Sequence, residues 1–453
     1  MGMDIKIRKG LDIKLVGQAE KVYDRLETPG EYALYPTDFP MLVPRLRVRE
    51  GDEVKAGSPL FVDKKNEAIC FASPVSGTVK QILRGERRRI EKVIVSCATK
   101  ELEYEDFGAE HPAEMAREAI VEKMLRGGVW PLIRQRPFNV VADPGVTPRD
   151  IFISAFDSAP LAPDLDFSLK DNGESFQLGV DVLAKLTDGG VHIGVSGGYK
   201  PAKAYGEARG ATVHTFSGPH PAGNVGVQIG QVAPVSKGEV VWTISPLDVV
   251  IIGRLFATGT YDARRIIAVA GSMIEKPRYY TTYIGAPLSQ LLAGQVKEGE
   301  KKARIISGNV LSGVKTGADE WLHYYANMVT AIPEGDHYEF MGWLAPGFKK
   351  FSASRLFPAF LMPKRVYDLD TNMHGGERAF VVTGEFEQVM PMDIYPNQLL
   401  KAILAGDIEA MENLGIYEVA EEDFALCDFV STSKIEAQAI VREGLNQMIR
   451  EMY

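Results

Sequence analysis

The chain has 453 residues, with 51 basic and 60 acidic side chains and a formal net charge of −9. This length predicts several domains, and 45% hydrophobic against 25% charged residues is typical of folded globular proteins rather than disordered or coiled-coil chains. The acidic balance argues against a broad nucleic-acid-binding face, which needs a strongly basic surface. We expect no signal peptide, and no transmembrane segment either, because no apolar run approaches the roughly 18 residues of a membrane span.

The cysteine content indicates a reducing compartment. Cys70, Cys97 and Cys427 are too few for a disulfide framework and too far apart in sequence for a zinc knuckle.

The histidines do not predict a metal site either. His214 and His220 lie six residues apart with no third ligand nearby, which is poor spacing for zinc.

The first two units are predicted to be an N-terminal arm or strand (residues 1–33) and a β domain (34–100). The β domain has turn dipeptides at Gly51-Asp52 and Ser76-Gly77, and its pattern GDEVKAGSPL followed by SPVSGTV resembles the barrel-sandwich hybrid fold of biotinyl and lipoyl carrier domains. A carrier holds its modifiable lysine at a fixed spacing from the Ser-Pro turn. Asn66 stands at that spacing, whereas Lys64 and Lys65 miss it. We therefore favour solvated lysines over a modified one.

Alternating helices and buried strands between residues 101 and 247 predict a parallel α/β sheet. An amphipathic helix is expected over Glu114–Leu125, ending at Gly127-Gly128. Residues 248–330 predict a compact β-rich unit with one short helix near Leu288. There VVIIGRLF (Val249–Phe256) is interpreted as a strand. The remaining part, 331–453, begins with an irregular aromatic stretch and continues as a helical domain.

The sequence contains no HExxH, GxSxG or Walker A motif. Its most distinctive segment is the glycine- and proline-rich run Ser217–Gly226. Glycines permit close backbone approach to a ligand, but they also simply form tight turns, and both interpretations stay open.

Four motifs carry a family resemblance: KGLD, FSGPHPAGNVGVQI, GWLAPGFKKFS and EEDFALCDFV. In this order along the chain, they are similar to those of the NqrA subunits of Na⁺-translocating NADH:quinone oxidoreductases. More distant relatives are the RnfC subunit of the Rnf electron-transport complex and the flavin subunit of complex I. The resemblance implies a Rossmann-like α/β domain, a β-grasp domain of the soluble-ligand-binding (SLBB) type and a helical C-terminal domain with a degenerate iron–sulfur motif.

The resemblance also implies that cofactor residues have been lost. Where the distant relatives have a flavin-binding glycine loop, this chain has the segment Gly127–Phe138, which contains Trp130, Leu132, Arg134 and Arg136. A cubane cluster needs several thiolates, and only Cys427 remains, with Ser431 near the position of a second cysteine. We therefore expect no cofactor bound by this chain, with the flavins, the iron–sulfur centre and the NADH site on other subunits.

The implied role is that of a peripheral protein at the cytoplasmic face of the bacterial inner membrane, docked on the membrane-embedded subunits and especially on NqrB. Quinone is the expected ligand. Its candidate sites are the glycine-rich loop with Gly218, His220 and Gly223, and the aromatic stretch with Trp343, Phe348 and Phe351. Alternatives are packing or a subunit interface at either place, a pure scaffold, a biotin or lipoyl carrier, and an electron-transfer subunit that binds NADH or FMN as RnfC does.

Overall fold

The computed structural model describes residues 2–26, 30–299, 301–342, 347–354 and 356–452. Two strands, β1 (Asp4–Lys6) and β2 (Glu20–Arg25), lie in the N-terminal arm. The next seven strands form two antiparallel sheets: β3 (Gly30–Leu34), β4 (Pro44–Leu46), β5 (Glu53–Val54), β6 (Pro59–Asp63), β7 (Cys70–Ala72), β8 (Gly77–Arg84) and β9 (Ile90–Cys97). Their orders, β3-β9-β8-β5 and β4-β6-β7, agree with the predicted small β domain. Among the described residues, no helix has the length and apolarity needed to cross a membrane.

The second unit is the predicted α/β domain. Its elements are α1 (Arg117–Arg126), β10 (Arg134–Arg136), β11 (Val140–Val141), β12 (Ile151–Ser154), α2 (Leu165–Leu169), α3 (Gly173–Ala184), β13 (Val191–Ser196), α4 (Lys203–Gly206), β14 (Ala211–Ser217), α5 (Val225–Val232), β15 (Val241–Thr243) and α6 (Pro246–Thr258). The sheet order is β1-β14-β13-β12-β15-β10-β11. The first five strands in this order, β1, β14, β13, β12 and β15, run parallel, whereas β10 and β11 pair antiparallel.

Helix α6 contradicts the strand interpretation of Val249–Phe256. Its ends carry strong helix signals: the Ser245 hydroxyl accepts from the Leu247 amide, Pro246 stands in the first turn, and Gly259 closes the helix with a positive φ of 73°. These caps and the close packing against α3 outweigh the β-branched composition. A Cβ on Gly253 would lie 1.8 Å from the carbonyl oxygen of Ser175, so the glycine is what lets the two helices approach. The predicted boundary between residues 247 and 248 consequently falls inside a helix.

The third unit contains β16 (Arg264–Ala270), β17 (Arg278–Tyr283), α7 (Leu288–Leu291), β18 (Ala303–Ser307), β19 (Val314–Thr316) and β20 (Met328–Pro333). Its sheet has the order β19-β18-β20-β16-β17-β2. The N-terminal arm is therefore shared between two sheets: β1 extends the α/β sheet and β2 extends this one. The short helix expected near Leu288 is confirmed as α7.

The C-terminal helices are α8 (Phe386–Val389), α9 (Pro396–Ala405), α10 (Ile408–Asn413), α11 (Ala425–Val430) and α12 (Ala437–Met452). Leu399, Val441 and Leu445 from this region share one apolar core with Ile7 and Phe216 of the α/β sheet edge. The helices therefore pack beside β1 and β14. Continuous apolar burial of this kind holds the C-terminal region to the strand from which the glycine-rich loop departs.

Candidate functional site

The α/β sheet has a reversal point in its strand order. From β12 the chain proceeds outward to β13 and β14, and then returns to place β15 on the other side of β12. In open α/β sheets, ligands bind outside the carboxyl ends of the strands at such a point. A cavity of about 550 Å³ lies there, lined by Ser154 and Phe156 after β12 and by Thr243 and Ser245 after β15.

All four units of the chain contribute walls to this central cavity. The residues from the other units include Thr37 and Asp38 of the barrel-sandwich domain, Ser307, Asn309, Ser312, His323 and Tyr325 of the third unit, and Glu421, Glu422, Gln438 and Arg442 of the helical region. A site assembled from segments so far apart in sequence depends on the relative placement of every domain.

The glycine-rich loop forms one wall through His220 and Gly223. The Gly223 amide donates to the Ser158 hydroxyl over 2.8 Å, and this hydroxyl lies 3.0 Å from His220 Nδ1. The Ser158 hydroxyl already accepts one hydrogen bond, from Gly223. The arrangement therefore favours its donating a hydrogen bond to Nδ1, which places the imidazole proton on Nε2. Burial lowers the pKa of His220 to about 4, so the ring is neutral near pH 7. His220 thereby lines the cavity as a neutral imidazole, with its N–H on Nε2.

The charges around the cavity are largely paired. Arg442 Nε lies 2.8 Å from Glu421 Oε1, and the other oxygen of this carboxylate accepts from Asn139 Nδ2 over 3.1 Å. Arg134 stacks over the Tyr325 ring at 4.9 Å and makes no ion pair with any described residue. Burial, followed by the nearby charge of Glu422, raises the pKa of Asp157. Among the described residues that line the cavity, Arg134 is a guanidinium without an ion pair and Asp157 is a buried carboxyl group without one, beside aromatic surface and neutral donors.

The predicted loop residues are divided by the structure. His220 and Gly223 line the cavity, but Gly218 faces the N-terminal arm, because a Cβ there would lie 2.1 Å from the Ile7 carbonyl oxygen. His214 is also separated from His220: it lies in the middle of β14, where its Nε2 is 2.9 Å from His192 Nδ1. Among the described residues, no cluster of three or more metal-ligating side chains suits a metal ion.

The aromatic stretch lies elsewhere. Trp343 falls outside the described residues. Phe348 is 64% exposed, whereas Phe351 packs with ring centroids 5.5 Å from Tyr367 and 5.9 Å from Phe429. Where its residues are described, none of them lines the central cavity. The two quinone-site candidates are therefore not two walls of one pocket.

The Gly127–Phe138 segment is filled by its own large residues. Trp130 is fully buried, donates from Nε1 to the Ala142 carbonyl over 2.8 Å and meets Trp242 edge-on at 5.4 Å. Leu132 is buried in the main core. Arg136 is 1% exposed and contacts Glu422 at 2.9 Å and Asp423 at 3.2 Å. Of the four large residues, Arg134 lines the cavity.

Two other candidate positions have ordinary surroundings. Cys427 is fully buried in the C-terminal core, and burial raises the pKa of its thiol; the Ser431 amide donates to its carbonyl over 3.0 Å. At the carrier-like hairpin, Lys64 and Lys65 are exposed, and Asn66 Oδ1 accepts from the Ala68 amide over 3.2 Å in a local turn. The side chain at the carrier spacing therefore stabilises its own turn.

Sequence reasoning missed most of the cavity. Asn139, Asp157, Tyr325 and Arg442 were not predicted, because the spacing of single polar residues carries no signal for contacts across hundreds of positions. For the wall from the helical region, the motif EEDFALCDFV was a hint, since it begins with the cavity residues Glu421 and Glu422.

Comparisons with known proteins identify the class of this four-unit protein. Residues 5–98 match the NqrA N-terminal barrel-sandwich hybrid domain, 115–261 the NqrA second alpha/beta domain, and 266–318 the NQRA C-terminal domain, the unit predicted to be of the soluble-ligand-binding type. These three domains define a subunit of a multi-subunit oxidoreductase. The predicted mixed α/β multidomain class and its barrel-sandwich domain are confirmed.

Similarity over nearly the whole chain identifies the particular family. The chain is 38% identical to the NqrA subunit of the Na(+)-translocating NADH-quinone reductase of Rhodopirellula baltica, over 98% of each chain. It is 39% identical to that of Yersinia pestis, over 99% of this chain and all of the other. It is 38% identical to that of Neisseria meningitidis serogroup A, with the same coverage. The chain belongs to the NqrA family of Na⁺-translocating NADH:quinone reductase subunits.

Among solved structures, an NAD⁺-reducing [NiFe]-hydrogenase in its air-oxidized state is similar at 12% identity and a TM-score of 0.39. The similarity covers 76% of this chain and 62% of the other. A likeness this weak supports no conclusion about fold or function.

Proposed function

We propose that this chain is the peripheral NqrA subunit of a Na⁺-translocating NADH:quinone reductase, docked at the cytoplasmic face on the membrane-embedded subunits, including NqrB. NADH oxidation, quinone reduction and Na⁺ export belong to the assembled complex. End-to-end similarity to NqrA proteins of such reductases is the observation that carries this placement.

We further propose that the central cavity receives a quinone head group. A quinone needs aromatic surface for its ring and hydrogen-bond donors for its carbonyls. Phe156 and Tyr325 supply rings at the wall, and neutral His220 supplies an Nε2–H that makes no hydrogen bond within the described part of the chain. The desolvated imidazole stays neutral over the physiological pH range, so its donor does not depend on pH there.

The chain's own part in the reaction is therefore ligand handling. The large residues of the Gly127–Phe138 segment support this assignment, since Trp130 and Leu132 occupy core positions and Arg136 is committed to two carboxylates. They are unlike the small residues that allow a backbone to approach a flavin phosphate. In this proposal the flavins, the iron–sulfur centre and the NADH site lie on other subunits.

The test is calorimetric titration of the purified full chain with a short-chain ubiquinone. We expect saturable binding at about one site, and a roughly 3- to 10-fold weaker affinity for His220→Leu, because one hydrogen bond is lost. The matched control is Phe351→Leu, which changes a ring outside the cavity. A loss for Phe351→Leu with none for His220→Leu would move the site to the aromatic stretch. No binding by the folded chain would leave it a docking subunit.

A further inference from the structure

A second region of the molecule, the exposed excursion (described residues 347–354 and 356–366), has large apolar side chains exposed to solvent. Phe348, Leu356, Phe360, Leu361 and Val366 are between 51% and 69% exposed. Single exposed apolar residues are ordinary on protein surfaces. Five of them within one short irregular segment indicate an interaction site for a protein or a membrane.

The base of the excursion is well anchored. The Tyr367 amide donates to the Lys14 carbonyl over 2.8 Å, and the Val16 amide donates back to the Tyr367 carbonyl over 3.0 Å. Phe351 packs between Tyr367 and Phe429. The excursion also contacts itself, since Arg365 donates to the Phe348 carbonyl over 2.5 Å. The exposed side chains are therefore presented by a folded element attached to the core.

The charge of this region is opposite to that of the whole chain. The described residues of the excursion include four basic side chains and no acidic one, in a chain of net charge −9, and one of the four, Lys350, pairs with Glu339. Lys349 and Lys364 are exposed and make no ion pair with any described residue. Their ammonium groups are free to meet an anionic surface.

We propose that the exposed excursion binds directly to an anionic lipid bilayer, with its apolar side chains entering the headgroup boundary and its lysines contacting lipid phosphates. Apolar residues beside lysines are the composition of interfacial membrane-binding segments. The two lysines without ion pairs favour the lipid surface, because lysine is depleted in protein–protein interfaces; a protein partner, which the phenylalanines would also suit, is an outcome of the test. The inference deepens the proposed peripheral role by naming the surface that meets the membrane, and it does not depend on quinone binding.

The test is co-sedimentation of the purified full chain with phosphatidylcholine vesicles that contain phosphatidylglycerol, compared with pure phosphatidylcholine vesicles. We expect binding to the anionic vesicles that weakens with salt. Lys349→Glu combined with Lys364→Glu should weaken it at least about tenfold, and Phe348→Ser combined with Leu361→Ser by a similar factor. Matched controls are Lys203→Glu and Leu404→Ser, which change an exposed lysine and an exposed leucine elsewhere and should leave binding unchanged.

Three results would overturn the inference. These are no binding to anionic vesicles by the folded chain, equal binding to both kinds of vesicle, and equal losses in the control variants. Assembly with the membrane-embedded subunits in detergent separates this inference from the proposed function. If the excursion variants fail to assemble there while binding vesicles normally, the surface meets a protein. If the wild-type chain binds vesicles but never assembles, the lipid surface stands and the proposed place in the reductase complex fails.

Discussion

Two segments of the α/β domain border the central cavity, and one packs its surroundings with large side chains whereas the other leaves open space beside it. The Gly127–Phe138 segment fills its surroundings with Trp130, Leu132 and Arg136, each with its own buried contacts. The Ser217–Gly226 loop instead has glycines and prolines around His220, and open space lies beside it. Large side chains with their own partners turn a segment into a structural connection, whereas small ones leave a concave surface.

The difference also concerns the C-terminal region. Arg136 joins β10 to Glu422 and Asp423 of the EEDFALC motif, and a Cβ on Gly226 would lie 2.4 Å from Asp423 Oδ2. The Asp423 carboxylate is thus bound by Arg136 of Gly127–Phe138 (the filled segment) on one side and approached by the first turn of α5 on the other. The filled segment therefore fixes the position of the cavity wall that faces Ser217–Gly226 (the open loop).

The largest expected effect comes from breaking the filled segment. Arg136→Met leaves Asp423, which is 3% exposed, without its cation, and removing one partner of a buried ion pair costs about 3–5 kcal/mol. We expect a correspondingly lower midpoint in urea unfolding followed by circular dichroism.

The matched control for that experiment is Arg134→Met, two residues earlier on β10 and without an ion pair among the described residues. Adding Asp423→Asn to Arg136→Met should restore part of the stability, because the uncompensated charge is then removed. Equal losses for Arg136→Met and Arg134→Met would show that the filled segment is not held by this ion pair.

The open loop predicts a smaller, pH-dependent effect. The native state holds the pKa of His220 at about 4, whereas an unfolded histidine has a pKa near 6.5. Between these pH values His220 is protonated in the unfolded chain but neutral in the native chain. It therefore destabilises the fold progressively as the pH falls from about 6.5 to about 4. The full effect is on the order of 3 kcal/mol.

The measurement is the unfolding free energy of the wild type minus that of His220→Gln across this pH range, because the difference cancels the titration of the Asp and Glu carboxyl groups that both chains share. His111→Gln, at an exposed histidine, is the control. A difference that stays flat with pH would show that His220 is solvated in the native chain.

Local signals in the sequence predicted much of the fold. The barrel-sandwich turns followed from turn chemistry, and the helix predicted over Glu114–Leu125 is α1, which begins three residues later at Arg117 and ends before Gly127. The error at α6 arose because a fully buried helix has no polar face, so VVIIGRLF has the composition of a strand. There the caps at Ser245, Pro246 and Gly259 were better indicators than the apolar run.

The site was less predictable than the fold. Loop composition directed attention to His220 and Gly223, which line the cavity, and whether they bind quinone stays a prediction. Gly218 was selected for the same reason, yet its lack of a side chain serves contact with β1. The contacts of Arg136 with Glu422 and Asp423 cross about 286 sequence positions. Such pairings follow from the packing of domains, which residue spacing does not encode.

The smallest expected effect is that of Gly223→Ala, which tests whether the cavity beside the open loop requires a residue without a side chain at this position. In Gly223→Ala, the new Cβ would lie 2.6 Å from the Ser158 amide nitrogen, so the loop must shift and disturb the Ser158 contact with His220. We expect quinone affinity to fall about tenfold, or roughly 1.4 kcal/mol, together with some loss of stability, because the clashing atom belongs to the backbone. Gly230→Ala on α5 is the matched control, because its nearest neighbour, Met392, is 3.7 Å away at ordinary contact distance. Unchanged affinity in Gly223→Ala, alongside a weakened His220→Leu variant, would mean that His220 acts without the Ser158 bridge.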